Sequence, residues 1–290
     1  MSNYKKWKTE IILILPAFLF ISAFMIYPMF NVLYLSFHEY SPLRSPKVSY
    51  IGLENYSWLA GSDLISHSLY VTTLFTAISV VIELVAGLLI ATLLAKFTIE
   101  VRSKIGKTLN KVFVGIFILP FAAPGVAAAV AWKMLLHPQF GPVNDLLGIE
   151  VVWFTKYPLM SVILVDAWKM TPIMLFLFYA AIMSIDPAQF EAAKVDGVNS
   201  WQEFRYLTLP SILPVLVVAT AFRAVDAFTK IFDIVYMTTG GGPGNATEVF
   251  PLLIWKTAFS YLHFGKASAL AVVAILISAF LGAILVIRRR

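Results

Sequence analysis

Long apolar segments separated by short polar ones run along most of the chain. A helix needs about 20 apolar residues to cross the hydrocarbon core of a bilayer. Proline inside such a helix is tolerated, because neighbouring groups satisfy the freed carbonyls. The pattern predicts an all-α integral membrane protein with six transmembrane helices, at Ile11–Phe37, Tyr70–Ala95, Val112–Leu136, Pro158–Met183, Ser211–Phe232 and Ala267–Ile287.

The composition supports a membrane protein. Of the 290 residues, 60% are hydrophobic and 13% are charged, whereas a soluble domain carries about 25% charged residues. The chain contains no cysteine, which excludes a disulfide framework and a Cys-ligated metal site. The first apolar segment follows three lysines, as a signal peptide does. It is longer than a signal-peptide core, so we interpret it as an uncleaved span.

Lysine and arginine are distributed unevenly between the two sides of the predicted spans. Cytoplasmic loops of membrane proteins carry an excess of these residues. The loops on one side hold only five basic residues, Arg44, Lys47, Lys156, Lys256 and Lys266. The termini and the loops on the other side hold thirteen of the 22, namely Lys5, Lys6, Lys8, Lys96, Arg102, Lys104, Lys107, Lys111, Lys194, Arg205 and Arg288–Arg290. This bias predicts cytoplasmic termini, and it explains the net charge of +6 without a nucleic-acid partner.

Several charged residues lie inside the predicted spans, where each costs about 2.5–3.5 kcal/mol on insertion scales. Four of them lie in the fifth span, at spacings of three, four and three, which predicts that they share one helix face. The set consists of Glu83, Asp166, Lys169, Arg223, Asp226, Lys230 and Asp233.

Two interpretations of these charges remain open. In the first, they are mutually neutralising ion pairs that fix helix packing, and Arg223 pairs with Asp226. In the second, they line a translocation path and hydrogen-bond a polyhydroxylated substrate, while Trp168 and Phe222 stack on a sugar ring. Under the second, Lys230 and Asp233 lie near the outer mouth and act in closing it.

The most polar long segment of the chain, residues 186–210, follows the fourth span. Asp186-Pro187-Ala188-Gln189 is typical of a helix start, and this helix should run to about Asp196. Gly197 then suits a left-handed position after the helix end. Ser200-Trp201-Gln202-Glu203 predicts a second capping box, and Pro210 should end the second helix by Leu209.

The same segment resembles the EAA loop in permease subunits of binding-protein-dependent ABC importers. That motif reads E-A-A, three residues, Gly, nine residues, I-x-L-P. Glu191-Ala192-Ala193, Gly197 and Leu209-Pro210 match at the expected spacing, and Leu207 replaces the isoleucine. In that family the loop forms coupling helices that lie in a groove of the ATPase. The resemblance therefore implies that Glu191, Ala192, Ala193, Asp196, Gly197, Leu209 and Pro210 contact an ATPase subunit.

Three further segments, Tyr50–Tyr56, His137–Leu147 and Phe222–Glu248, resemble the carbohydrate branch of this family, specifically its first permease subunit. The resemblance implies a type I ABC importer transmembrane domain over residues 67–290, preceded by a transmembrane helix and outer loop over residues 1–66. It also implies that Gly241, Gly242 and Pro243 face an external binding protein.

The resemblance implies the partners and the substrate class as well. The partners are membrane lipid, a second similar permease, two ATPase subunits that hold ATP and Mg²⁺, and an external sugar-binding protein. The location is the cytoplasmic (inner) membrane. The substrate is a sugar or oligosaccharide, or a phosphorylated polyol, since glycerol-3-phosphate carriers resemble the same family and Arg223 or Lys169 would suit a phosphate.

The chain itself is not expected to bind a cofactor or to hydrolyse ATP. Ile105–Lys111 ends like a P-loop, but Val101 stands where the first glycine of that motif is required. The alternative function is an ion-coupled secondary transporter of a polar solute, with the intramembrane charges as a proton relay. A membrane-embedded enzyme would need clustered histidines or a nucleophile–base pair at bilayer depth, which the sequence does not show.

Overall fold

The structure is a computed structural model that describes residues 2–43, 45–100 and 104–287. Arg44, Val101, Arg102 and Arg288–Arg290, which entered the sequence analysis, lie outside the described residues. Within the described residues the chain is predominantly helical. Its helices are α1 (Ser2–Ile21), α2 (Tyr27–Ser36), α3 (Glu54–Ala60), α4 (Asp63–Glu100), α5 (Lys104–Ala122), α6 (Gly125–Leu135), α7 (Pro142–Leu147), α8 (Trp153–Lys156), α9 (Pro158–Met183), α10 (Pro187–Val195), α11 (Ser200–Glu203), α12 (Leu209–Lys230), α13 (Phe232–Thr238), α14 (Phe250–Trp255) and α15 (Phe264–Ile287).

Five helical stretches of the described residues are long and apolar enough to cross a membrane, and a bent helix pair makes a sixth if it counts as one span. The predicted helical, multi-span architecture is therefore confirmed, with six spans if the bent pair is counted as one. The single stretches cover Glu10–Ser36, Asp63–Ile99, Pro158–Met183, Ser200–Lys230 and Phe264–Ala283. Two of them, Asp63–Ile99 and Ser200–Lys230, begin well before the predicted apolar spans, because polar residues at their ends continue the helix.

The third predicted span, Val112–Leu136, is wrong as a single helix. Val112–Ala122 and Gly125–Leu135 are separate helices, bent by 100° relative to each other. Pro124 lies between them in an extended conformation, with φ −56° and ψ 143°. Proline lacks an amide hydrogen and disfavours helical geometry in the residue before it, so the first helix ends there.

Contacts divide the described residues into two units. The first comprises Met1–Ser66 with Leu253–Leu276. It contains an antiparallel hairpin of β1 (His38–Ser41) and β2 (Ser45–Tyr50), in which His38 pairs with Tyr50 and Glu39 with Ser49. The sequence analysis did not predict this hairpin. The side-chain amide of the buried Asn55 donates 3.0 Å hydrogen bonds to the carbonyls of Ser36 and His38.

The second unit comprises His67–Leu252 with Ile277–Arg290. Its core lies where α4, α9 and α12 pack together, around Ala91, Met174, Phe178, Ile212 and Ala219. Gly87 of α4 allows the close approach to α9, because a Cβ atom there would lie 2.7 Å from Cβ of Met174. The same three helices carry the intramembrane charges, so this packing determines which charges meet.

Candidate functional site

A buried ion cluster joins α4, α9 and α12. Arg223 of α12 is only 2% exposed. Its Nε lies 2.6 Å from Oε2 of Glu83, and its Nη2 lies 2.9 Å from Oε1 of the same carboxylate. Nη2 also contacts Oδ2 of Asp166, and Nη1 lies 3.2 Å from Oδ2 of Asp226. One guanidinium therefore pairs with carboxylates from three helices, and Asp226, its partner in the first interpretation, is one of the three.

Two further side chains complete the cluster. Ser79 places its Oγ 2.8 Å from Oε1 of Glu83 and 2.7 Å from Oδ2 of Asp166. Nζ of Lys230 lies 2.7 Å from Oδ1 of Asp226, and the lysine side chain is 73% exposed. Sequence reasoning missed Ser79, although its position four residues before Glu83 places both on one face of a helix.

A cavity of about 290 Å³ adjoins this cluster. Its wall includes the cluster members Asp166, Arg223, Asp226 and Lys230. The remaining lining residues are Phe121, Lys169, Met170, Ile173, Phe222, Ala227, Ile231, Asp233 and Ile234. The cavity is therefore lined both by charged side chains and by aromatic and aliphatic ones.

Lys169 and Asp233 face this cavity without belonging to the ion cluster. Neither forms an ion pair with any described residue. Nζ of Lys169 lies 3.5 Å from the carbonyl oxygen of Phe121 and 5.6 Å from the centre of its ring. Oδ1 of Asp233 accepts a 2.9 Å hydrogen bond from the amide of Ile234. An ammonium group and a carboxylate thus remain available to a solute in the cavity.

Asp233 does not share a helix with the other charges of the fifth span, so that prediction is wrong for this residue. The helix breaks at Ile231, whose ψ of −3° departs from helical geometry, and Asp233 lies on the following helix α13. Its carboxylate lies against Gly125, at the start of α6, in the space that a Cβ atom there would need. Arg223, Asp226 and Lys230 remain linked along α12 at spacings of three and four.

The two aromatic residues proposed from the sequence lie in different surroundings. Phe222 is 57% exposed and lines the cavity. Trp168 lies outside the cavity lining and packs edge-on against Trp132, with 5.8 Å between ring centroids. The structure thus brings Phe222, and not Trp168, to the charged cavity.

The 186–210 segment forms the predicted helix and elbow. The Oδ1 atom of Asp186 accepts a 2.9 Å hydrogen bond from the amide of Ala188 and caps α10. Gly197 has φ +73°, as predicted. The amides of Val198 and Gly197 donate to the carbonyls of Ala193 and Lys194, at 3.1 and 3.2 Å. These two bonds form a Schellman motif, which terminates the helix with a left-handed residue.

The second half of this segment corrects two predictions. Asn199, not Ser200, caps α11, and it shares a capping box with Gln202. Asparagine and serine cap helices about equally well, so the pattern alone did not determine the position. Nor does the helix end at Leu209, because a π-helical turn, Phe204–Thr208, continues α11 into α12. We attribute this continuity to the wider turn, which accommodates the missing amide hydrogen of Pro210.

The 186–210 segment presents a large free surface. Glu191, Ala192, Asp196 and Pro210 are exposed, while Ala193 and Leu209 are half-buried. Several large side chains are also exposed, among them Val195 (87%), Trp201 and Tyr206. These side chains are available for contact with a partner.

Hydrogen bonds from two threonines hold the glycine-rich loop, residues 240–244. Oγ1 of Thr247 lies 2.6 Å from Oγ1 of Thr239 and donates a 2.9 Å hydrogen bond to the carbonyl of Gly242. Gly241 has φ +96°, which favours glycine. Gly241, Gly242 and Pro243 thus lie in an ordered turn rather than in a flexible linker.

The family model of the binding-protein-dependent transport system inner membrane component matches residues 83–289. The chain belongs to this family. The match includes the charged residues of the ion cluster, the cavity and the 186–210 segment. It confirms the resemblance to ABC importer permeases that the EAA motif indicated, and it makes the chain a multi-pass membrane protein.

Two similar proteins can be aligned with almost the whole chain. The trehalose/maltose transport system permease protein MalF of Thermococcus litoralis is 30% identical over 280 residues, which cover 94% of this chain and 90% of that protein. The sulfoquinovosyl glycerol transport system permease protein SmoG of Agrobacterium fabrum is 32% identical over 274 residues, covering 92% and 86%.

A solved structure confirms the fold. In the crystal structure of a bacterial alginate ABC transporter, in complex with an alginate pentasaccharide-bound periplasmic protein, one chain superposes with a TM-score of 0.82. The superposition covers 98% of this chain and 94% of that chain, at 22% identity. The predicted fold, a type I ABC importer transmembrane domain, is therefore correct.

Proposed function

We propose that the chain is the permease subunit of an ATP-driven importer and forms half of the pathway for a sugar or oligosaccharide. A second, similar permease forms the other half. Two ATPase subunits supply the energy with their own ATP and Mg²⁺, and an external binding protein delivers the solute.

The observation that carries this proposal is the cavity beside the ion cluster. A polyhydroxylated solute has groups that both donate and accept hydrogen bonds. Lys169 supplies donors, Asp233 supplies acceptors, and neither is engaged by an opposite charge among the described residues. The exposed ring of Phe222 offers an apolar face for a sugar ring. By contrast, Glu83, Asp166, Arg223, Asp226 and Lys230 are paired, and we assign them to helix packing.

The names of two similar proteins support the substrate class. MalF of Thermococcus litoralis is named for trehalose and maltose, and SmoG of Agrobacterium fabrum for sulfoquinovosyl glycerol. Trehalose, maltose and sulfoquinovosyl glycerol are all polyhydroxylated compounds. The unpaired ammonium of Lys169 would also accommodate an acidic group on such a solute.

The coupling segment, residues 186–210, provides the ATPase contact in this proposal. Two short helices joined by a Schellman elbow present an exposed surface, as expected for a helix that inserts into a groove. The distribution of basic residues, Lys194 and Arg205 among them, supports a cytoplasmic position for this segment and for both termini. The glycine-rich loop, residues 240–244, then lies outside, where Gly241, Gly242 and Pro243 contact the binding protein.

Reconstitution of the complete complex in liposomes tests the proposal. The assay measures uptake of labelled trehalose, maltose and sulfoquinovosyl glycerol, with ATP inside and the binding protein outside. We expect uptake of one of these probes or a close analogue to require both, and we expect the chain alone to hydrolyse no ATP. Uptake by the chain alone, driven by a proton or sodium gradient, would instead establish a secondary transporter.

A further inference from the structure

A second cavity, of about 340 Å³, lies beside the coupling segment and away from the ion cluster. Its wall is built from the end of α4, the end of α9, helices α10 and α11, and the π-helical turn that follows them. The lining residues include Lys96, Lys194 and Glu203, together with Ile99, Phe190 and Phe204. This cavity therefore contacts the coupling segment together with the ends of α4 and α9.

The charges in this cavity leave an excess of one positive charge. Nζ of Lys96 donates a 3.3 Å hydrogen bond to Oγ of Ser200. Neither Lys96 nor Lys194 forms an ion pair with a described carboxylate, and Glu203 is likewise without a described ion-pair partner. Two ammonium groups thus face one cavity with a single carboxylate among its lining residues, which favours a ligand with a negative charge.

Most of the remaining lining is apolar, with hydroxyl groups from Thr92, Ser200 and Thr208. Leu93 is 60% exposed, and Ile99 is also exposed. Val198, Phe190 and Phe204 add half-buried apolar surface. A small inorganic anion would leave this surface unoccupied, whereas an amphiphile with an anionic head would cover it.

The position of Lys96 along its helix indicates the level of the cavity. It directly follows the apolar run that ends at Ala95, within a membrane-competent stretch that continues to Ile99. A lysine at such a helix end lies at the headgroup level of a bilayer. Basic pockets between membrane helices on the cytoplasmic side bind anionic lipid headgroups.

We propose that this cavity binds one anionic glycerophospholipid of the cytoplasmic leaflet. The phosphodiester accepts hydrogen bonds from Lys96 and Lys194, and an acyl chain covers Leu93 and Ile99. The bound lipid bridges α4 and the coupling helices, and so holds the elbow at Gly197 in a fixed direction. This inference rests on the cytoplasmic position of the coupling segment in the proposed function.

The test uses the complete importer in nanodiscs of phosphatidylcholine that contain increasing fractions of phosphatidylglycerol. We measure ATP hydrolysis, and native mass spectrometry counts the phosphatidylglycerol molecules retained by the chain. Lys96→Gln and Lys194→Gln should each raise the phosphatidylglycerol fraction that half-saturates ATP hydrolysis about tenfold, because each removes a hydrogen bond between a charged lysine and the lipid phosphate. The control, Arg205→Gln, removes an exposed charge of the same segment that does not line the cavity, and it should leave this fraction unchanged.

Three outcomes would overturn the proposal. One is an unchanged lipid dependence in the variant with both lysines replaced, and another is an equal shift in Arg205→Gln, which would indicate general surface attraction. The third is that inorganic phosphate has the same effect on ATP hydrolysis in nanodiscs that lack phosphatidylglycerol. Lipid retention is counted on the chain itself, so a complex that imports no sugar in any lipid would contradict the proposed function and not this site.

Discussion

Arg223 and Glu83 form a two-point ion pair between α12 and α4, across 140 residues of sequence. Nε of Arg223 lies 2.6 Å from Oε2 of Glu83, and Nη2 lies 2.9 Å from Oε1. Both side chains are almost completely buried. Two parallel bonds fix direction as well as distance, so this pair sets the rotation of one helix relative to the other.

We predict that Arg223→Ala damages the protein more than any single carboxylate replacement in the cluster. It leaves Glu83, Asp166 and Asp226 without their shared cation, and an uncompensated buried charge costs about 3–5 kcal/mol. Asp226→Asn leaves the guanidinium paired with the two remaining carboxylates and should cost less. The measurement is the yield of monodisperse protein and its thermal unfolding midpoint in detergent.

Lys230→Gln is the control for this series. The lysine pairs with Asp226, but its side chain is 73% exposed, and an exposed ion pair contributes about 0–1 kcal/mol. Its unfolding midpoint should stay close to that of the unchanged protein. If Arg223→Ala unfolds no earlier than Lys230→Gln, the cluster does not determine helix packing.

Sequence reasoning found the members of this cluster but not their arrangement. Spacing along one helix correctly placed Arg223, Asp226 and Lys230 on one face. The dominant contacts of Arg223 run to Glu83 and Asp166 on other helices, and these depend on how α4 and α9 pack. A spacing rule within one helix carries no information on that packing.

The pair Gly125 and Asp233 gives a second stability prediction. The Asp233 carboxylate occupies the space that a Cβ atom at Gly125 would need. Gly125→Ala should therefore lower the thermal unfolding midpoint, and Asp233→Ala in the same chain should restore part of the loss. The control is Gly115→Ala in α5, where no atom lies within 4 Å and helix propensity favours alanine by about 1 kcal/mol. An equal response at both glycines would contradict this contact.

The bend at Pro124 marks a limit of hydropathy reasoning. Apolar residues on both sides of Ala123–Pro124 fit one span by length, and proline is tolerated inside membrane helices. Whether a proline kinks a helix or ends it depends on the neighbouring elements. Here α6 packs against α13, and Asp233 of α13 meets the first residue of α6, an interaction that the sequence of either helix alone does not reveal.

Lys169 provides a test of the solute cavity. A hydrogen bond from a charged group contributes about 1.5–3 kcal/mol, so we expect Lys169→Gln to raise the KM for uptake about tenfold or more. Its folding should be little affected, since no described ion pair is lost. The measurement is sugar uptake against concentration of the loaded binding protein. Lys156→Gln, an exposed lysine of α8 outside the cavity, is the control, and an equal change in both variants would exclude Lys169 from the solute site.

Gly197 gives the most specific prediction for the coupling segment. At φ +73° it occupies the left-handed region, and no atom lies within 4 Å of a Cβ built there. A valine is therefore strained by its backbone, at about 1–2 kcal/mol, and not by a clash. We expect Gly197→Val to relax by changing the angle between α10 and α11, while the spans still insert. ATP hydrolysis should then continue with reduced uptake, so that the number of sugars imported per ATP falls.

Gly148 is a matched control for this experiment. It ends α7 in the same left-handed region, at φ +63°, and no atom lies within 4 Å of its Cβ position either. Gly148→Val imposes a similar strain outside the coupling segment, so any loss of folded protein common to both variants reflects strain alone. Only Gly197→Val should change the ratio of uptake to ATP hydrolysis in the reconstituted complex. A normal ratio in Gly197→Val, at comparable yield, would show that the elbow is an ordinary helix end and that coupling passes through other contacts of the ATPase.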